Sequence, residues 1–315
     1  MELGIWLELG IWDLGFASMN FLSRLANIDR RVIYSLVFIV VIVPLIWKSN
    51  PPVEISPEVQ QAYNSIEQVP AGGIVMVSID YDGASEAECQ PMLMAILRHC
   101  FSRNIKVIET AQWPLGLSLG QVGIETAAVE YHKVYGKDYV NLGYRPGQNA
   151  LMVGLGKEGF HRYFNRDFRG QPIDDFEVMK NVHNYGQIDR LVALEAGSSG
   201  DLWVQYAGAQ FGVRIIMGVT GVMATSMYPY LQAKQIEGLI GGLKGAAEYE
   251  TLVHHPNRGV WGMNSQSYLH ALIIILVILG NIAYYATRRG ETREAKRKAS
   301  GPQKKSEQSG VSSEQ

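Results

Sequence analysis

Two uncharged apolar runs near the ends of the chain restrict what it can fold into more than any other feature. The first covers residues 32–47 (VIYSLVFIVVIVPLIW), about 16 residues with Pro44 near its far end, and the second covers residues 268–287, about 20 residues. At about 1.5 Å per helical residue, the second run matches a hydrocarbon core about 30 Å thick. A helix buried in a soluble core normally keeps a polar stripe, and Ile273 to Leu279 has none. The sequence therefore predicts two transmembrane helices in a lipid bilayer, with a domain spanning residues 53–262 between them.

Basic residues beside the runs set the expected orientation. Arg24, Arg30 and Arg31 precede the first, while Arg288, Arg289, Arg293, Lys296, Arg297 and Lys298 follow the second. Such residues are retained on the cytoplasmic side, so residues 1–31 and 288–315 are expected to be cytoplasmic and the domain extracytoplasmic. Only Lys48-Ser49-Asn50-Pro51-Pro52 follows the first run, with no small-x-small cleavage pattern, which predicts an uncleaved anchor. Glu2-Leu3-Gly4-Ile5-Trp6 recurs as Glu8-Leu9-Gly10-Ile11-Trp12, and residues 1–18 read as a start-site artefact with Met19 as the start. The tail, residues 288–315, has few large apolar side chains to bury and is expected to be disordered, its basic first half suited to anionic lipid. Cys89 and Cys100 lie eleven residues apart; on one helix that separates them by about 16 Å, too far for a disulfide.

Between the runs, β-rich segments at residues 74–79, 106–109, 151–154, 191–195 and 213–217 alternate with helical segments. Ser56-Pro57-Glu58 is a helix start, carrying a helix to about residue 68. Further helices are expected at residues 87–101, 117–134, 175–182 and 202–211. The strands are nearly continuous apolar runs, as expected when helices cover both faces of a sheet. The predicted fold class is α/β: a doubly wound parallel sheet, Rossmann-like or flavodoxin-like. Residues 135–149 and 160–172 read as long loops. Residues 227–253 read as a glycine-rich helix broken near Gly238 to Gly242.

Doubly wound sheets bind ligands outside the carboxyl ends of their strands, which makes acids at those ends the first candidates. Asp80 and Asp82 follow the first strand, Glu109 ends the second and Glu195 ends the fourth. Together they would suit a divalent cation or a polyhydroxylated ligand, and Trp113 would add a ring that can stack on a sugar or a peptide. The alternative role for such acids is capping the next helix. Asp80-Tyr81-Asp82-Gly83-Ala84 resembles the D-x-D motif of haloacid-dehalogenase-type phosphotransferases. The resemblance implies that Asp80 is a nucleophile and Asp82 an acid/base, with Thr110 in the second motif. Ala84 stands where that family has Thr or Val, and no third and fourth motifs follow.

Gly154-Leu155-Gly156-Lys157-Glu158-Gly159 fits G-x-G-x-x-G, with Asp174 and Asp175 about twenty residues on. Gly170-Gln171-Pro172 interrupts the long helix that a dinucleotide pyrophosphate needs. His254-His255 precedes Pro256 and Asn257, which marks a juxtamembrane loop rather than a metal pair. Ser198, Ser199 and Ser226 lack a G-x-S-x-G setting. No basic patch interleaved with aromatics occurs in the domain, so nucleic acid is not an expected partner. No particular metal or cofactor is indicated.

Gly241 and Gly245, four residues apart, and Gly280 and Asn281 in the second run are residues suited to helix association, which predicts a homo-oligomer or other membrane-protein partners. The leading expectation is a membrane-anchored extracytoplasmic module that binds a ligand or partner within a membrane assembly without catalysis. The rival is an anchored divalent-dependent phosphatase or other hydrolase using Asp80 and Asp82.

Overall fold

The computed structural model describes residues 29–299; the segment assigned above to a start-site artefact and the end of the tail lie outside the described residues. The chain divides into residues 44–265 and a second unit formed by its two ends, residues 1–43 and 266–315. In chain order the elements begin with α1 (Arg30–Trp47), α2 (Pro57–Glu67), β1 (Ile74–Asp80), α3 (Glu86–Ser102), β2 (Lys106–Ala111) and α4 (Gly116–Glu130). Then come β3 (Tyr139–Tyr144), α5 (Gln148–Lys157), a single turn α6 (Phe160–Tyr163) and β4 (Arg190–Glu195). The helix α7 follows in three consecutive pieces: Ser199–Leu202, the π-helical Trp203–Gly208, and Ala209–Phe211. The order ends with β5 (Ile215–Val219), α8 (Gly221–Gln232), β6 (Gly238–Gly241), α9 (Gly242–Leu252) and α10 (Arg258–Ala299).

All six strands are parallel, in the order β3-β2-β1-β4-β5-β6. This is the Rossmann-type order, with the winding reversing between β1 and β4; the flavodoxin-like order does not apply. Alternate strand residues feed two cores, because side chains along a strand point to opposite faces. Val75, Val77 and Ile79 pack with α2, α3, α4 and α9 through Ile66, Leu93, Ile124 and Tyr249. Met76, Leu191 and Ala193 pack on the other face with Met152, Phe160, Trp203 and Met227. The sheet is thus covered on both sides, which explains strands without polar alternation.

Several segments differ from the sequence expectation. Residues 151–154 are helix, inside α5, where Leu151, Met152 and Leu155 bury one face. An apolar run that short fits a strand or a buried helix equally well. The third strand is instead β3, within the expected loop 135–149. Its pattern is broken by Gly143, at φ +82°, beside a register shift between β2 and β3. Residues 175–182 form no α-helix: after a 3-10 turn at Ile173–Asp175, the side chains of Val178, Met179 and Val182 plug the core from an irregular segment. The expected helix 227–253 divides into part of α8, the edge strand β6, and α9. Residues 288–299, assigned above to a disordered tail, continue α10.

The two ends of the α/β unit are tied together and to one helix. Trp261 Nε1 donates to Asn50 Oδ1 at 3.1 Å, Asn264 Nδ2 donates to the Ser49 carbonyl at 2.8 Å, and the Lys48 ammonium lies 4.9 Å from the centre of the Trp261 ring. Two buried glutamates of α9 hold the adjoining backbone. Glu248 accepts from the Ser56 backbone N–H at 2.8 Å and from its hydroxyl at 2.5 Å, fixing the start of α2. Glu250 accepts from the N–H groups of Asn257, Gly259 and Val260 at 2.8, 3.0 and 3.0 Å, satisfying donors that the first turn of α10 would leave without partners.

Outside the α/β unit, α1 and α10 are both long and apolar enough to cross a membrane, with mean hydropathy of 2.0 over residues 30–47 and 1.9 in the best window of 258–285.

Candidate functional site

The switch point between β1 and β4 brings two of the candidate acids together. Asp80 and Glu195 are register partners on adjacent strands, and both point to the face of Met76 and Ala193. Both are fully buried. Asp80 Oδ1 accepts from the Gln112 backbone N–H at 2.7 Å; Oδ2 accepts from the Ser78 hydroxyl at 2.9 Å and from Trp203 Nε1 at 3.1 Å. Burial pushes the Asp80 carboxyl up to about 6, while these three donors pull the other way. Burial likewise pushes Glu195 up to about 8, with the Gly200 N–H opposing it and the charge of Asp80 adding to it. Two carboxyls side by side in a low dielectric cannot both ionise freely, so the charge of Asp80 adds to the upward push on Glu195.

Local sequence explains this placement. After β4 the chain turns through Gly197-Ser198-Ser199-Gly200 into α7, and the Gly200 N–H meets Glu195 Oε2. A Cβ at Gly200 would fall on the Glu195 carboxylate, so glycine is required there. The same turn approaches Trp113, whose ring comes within 2.7 Å of where a Cβ on Gly197 would be. Trp113 follows β2, so it reaches past the end of β1 to close on the β4 turn. The Ala196 N–H donates to the Asp80 carbonyl at 3.1 Å, completing a strand end sealed by its own neighbours.

The other candidates lie apart. Asp82 Oδ1 accepts from the Ala84 N–H at 3.0 Å, the turn role that competes with a catalytic one. Glu109 points to the opposite face of the sheet, under α4, where a Cβ on Gly120 would lie 2.9 Å from its carboxyl carbon. Its Oε2 accepts from Asn141 Nδ2 at 2.8 Å, and Oε1 is buried without a partner. Burial first, and then the charge of Glu125, pushes Glu109 up to about 8.

Glu109 is expected to contribute to the pH dependence of stability. Its folded pKa is raised, so between about pH 4, its unfolded value, and pH 8 the native state binds more protons than the unfolded state. Stability from this residue is therefore highest below pH 4 and declines as pH rises to 8. Glu109→Gln is expected to stabilise the domain by on the order of 2 kcal/mol at pH 8 and by almost nothing at pH 4. Denaturant midpoints at the two pH values test this; an unchanged midpoint at pH 8 contradicts the assignment.

Three contributors were not singled out from the sequence. Gln112 is buried with both amide atoms lacking partners, and Ser199 Oγ and Glu195 Oε1 are in the same condition nearby. Trp203 comes from the π-helical segment, and nothing local announces that its indole reaches a carboxylate 123 residues away. Glu88 accepts the first N–H of α8, from Gly221, at 2.7 Å. With Glu86 it also places two acids in the first turn of α3, so the helix N-termini that a nucleotide phosphate would use already hold negative charge.

The G-x-G-x-x-G run has a packing role. Gly154 and Gly156 lie inside α5, where a Cβ would strike the rings of Tyr163 and Phe211, and Gly159, at φ +94°, ends the segment against the His183 carbonyl. The run does not open a helix after a strand, which corrects the context a dinucleotide site would need. Gly241 ends β6, facing Ala224, and Gly245 packs on Ile240 within the domain. Gly280 has open space around it, and Asn281 Nδ2 donates to its own helix at the Val277 carbonyl, 2.9 Å away. Cys89 and Cys100 are buried free thiols pushed up to about 12 by burial, which removes thiolate reactivity. Among the described residues no group of three or more His, Cys, Asp or Glu side chains is placed to share a metal ion.

The chain matches no protein-family model, no curated protein and no solved structure.

Proposed function

We propose that this chain is a membrane-anchored Rossmann-like module that binds a ligand or partner within a membrane assembly, with the α/β domain extracytoplasmic, both termini cytoplasmic, and no catalysis of its own. One observation carries the non-catalytic part of the reading: the switch point, where a sheet of this order takes its ligand, is lined by contacts of the chain with itself. Gln112 and Trp203 occupy the Asp80 carboxylate, Trp113 lies on Gly197, and Glu88 sits on the start of α8. These contacts support a structural role for Asp80 at the strand ends and for Asp82 in its own turn.

The remaining features suit an anchored binding role. Within the α/β unit, the segments next to α1 and α10 are both held by glutamates of α9. Ile273, Ile274, Ile275, Val277 and Ile278 are each about half exposed, as suits side chains facing lipid or neighbouring helices. Gly280 and Asn281 would provide close approach and a polar contact there.

The hydrolase reading draws on the raised Asp80 and Glu195 carboxyls, since perturbed acids cluster at catalytic sites. Two assays separate the readings. The wild-type chain is expected to show no divalent-dependent hydrolysis across a panel of phosphate esters, and Asn281→Leu to reduce the size of the detergent-solubilised complex. Hydrolysis that Asp80→Asn lowers by roughly 10²-fold or more would establish the enzyme instead. Proteolysis of sealed inside-out vesicles checks the topology, with the domain protected and the tail cleaved as the expected outcome.

A further inference from the structure

Two hollows of about 300 and 480 Å³ lie side by side on the α/β unit, sharing Gln90, Pro91 and Arg258. Both are formed between α3 and the first turns of α10. Their sizes fall at the lower end of the roughly 300–1,000 Å³ typical of small-molecule sites.

The first hollow has a buried guanidinium at its base. Arg98 lines it and is 4% exposed. Its Nε and Nη2 donate to Glu130 at 2.7 and 2.8 Å, and its Nη1 is buried without a partner. Arg258 lines the same hollow, and no carboxylate among the described residues pairs with it. Glu250 also borders the hollow, but three backbone N–H groups already occupy its oxygens. The polar group Gln90 is satisfied, accepting from Tyr81 at 2.6 Å and donating to the Leu119 carbonyl at 3.2 Å. What remains is an unused guanidinium donor beside a second, unpaired guanidinium.

The second hollow is mainly apolar. Leu45, Ala87, Pro91, Leu243 and Trp261 form its walls, with Glu86 as the one acid. Trp261 is held in place through Asn50, and Lys48 adds a positive charge over its ring. Free guanidinium donors that open into an apolar trough are complementary to a molecule with an acidic head and a hydrocarbon tail.

We propose that this groove binds an anionic single-chain amphiphile drawn from the bilayer, its carboxylate or phosphate head on Arg98 and Arg258 and its hydrocarbon along Leu243 to Trp261 and Leu45. The proposal rests on the anchored reading above and gives the binding module a ligand class. The charge on the head selects the ligand, because the Arg258 guanidinium and the one free nitrogen of Arg98, Nη1, are donors that an oxyanion satisfies and an uncharged ester satisfies poorly. The apolar walls contribute affinity without selecting among chains.

The test uses the full chain in dodecyl maltoside at pH 8, with dibromostearate as probe and its methyl ester as the uncharged control. Bromine quenches indole fluorescence at short range, and the difference between wild type and Trp261→Phe isolates the signal of Trp261. Dibromostearate is expected to quench Trp261 saturably, the ester only weakly, and excess inorganic phosphate not to displace the probe. Arg258→Gln, an exposed position that leaves the buried Arg98–Glu130 pair intact, is expected to weaken binding about tenfold. Equal quenching by the ester, displacement by phosphate alone, absence of a Trp261 signal, or unaltered affinity in Arg258→Gln would each overturn the proposal. Carbonate extraction of membranes is scored separately. A chain that stays in the membrane but shows no Trp261 quenching loses the groove and keeps the anchor, whereas a chain released by carbonate loses the anchored reading.

Discussion

Trp203→Ala is expected to destabilise the α/β domain by about 4 kcal/mol, seen as a lower midpoint in chemical denaturation of the detergent-solubilised chain. Trp203 heads the largest fully buried side chains among the described residues and fills the core between α7 and the sheet. Removing it deletes apolar surface, leaves a cavity that the surrounding β-strands cannot collapse into, and strips Asp80 of one of its three side-chain and backbone donors. Trp203→Phe separates these effects. It keeps most of the packing and loses the indole N–H, for an expected cost of about 1–2 kcal/mol. The sign of its pH dependence follows from the group it serves. The indole donates to the ionised carboxylate, so its contribution is present above the Asp80 pKa of about 6 and fades as pH falls through it. The Trp203→Phe deficit should therefore be larger at pH 8 than at pH 5. An equal deficit at both values would mean that the indole packs beside Asp80 without supporting its charge.

The parts of this architecture that were legible in the sequence are those with local causes. Ser56-Pro57-Glu58 marks the start of α2, and the runs at β1, β2, β4 and β5 are long and β-branched enough to be recognised as strands. The elements that were misread depend on distant partners. β6 has only four residues, with glycine at both ends, and is a strand because β5 supplies its hydrogen bonds and α2 covers it. β3 contains Asn141 and Gly143, whose side-chain and backbone conformations make sense only once the bulge against β2 is known. The candidate site divides in the same way. Asp80 and Glu195 were identified by position, because strand carboxyl ends converge in any doubly wound sheet. Face, however, is a matter of parity: Glu109 has the parity of Val107 and points under α4, which separates it from the other two. Asp82 could be paired with Asp80 or with its own backbone on sequence grounds, and in the structure its Oδ1 accepts from the Ala84 N–H. The seal over the site is the least legible part, since Trp203, Gln112 and Gly197 come from separate connections.

Gly238→Val is expected to cost about 3 kcal/mol or more, with the domain failing to accumulate as a folded species if β6 detaches. The glycine sits at the crossing of β6 over α2. A Cβ there would fall on the backbone N and Cα of Ala62 and lie 2.6 Å from its methyl group. Backbone atoms of a packed helix cannot move aside as a flexible side chain can, so α2 would have to lift from the sheet. That movement would also disturb Ser65, whose hydroxyl pairs with Glu237 and accepts from Arg190 Nε at 2.6 Å. Gly238→Ala should already be damaging, because the clash involves the first side-chain carbon rather than the extra methyls. Gly280→Val is the informative contrast: it has the same residue change but no atom within 4 Å of the added Cβ. It should leave the denaturation midpoint of the domain unchanged, and any effect it has should appear as a loss of assembly size. If instead Gly238→Val leaves the fold intact and dissociates a complex, the glycine-rich segment serves association after all, and the packing account of β6 against α2 is wrong.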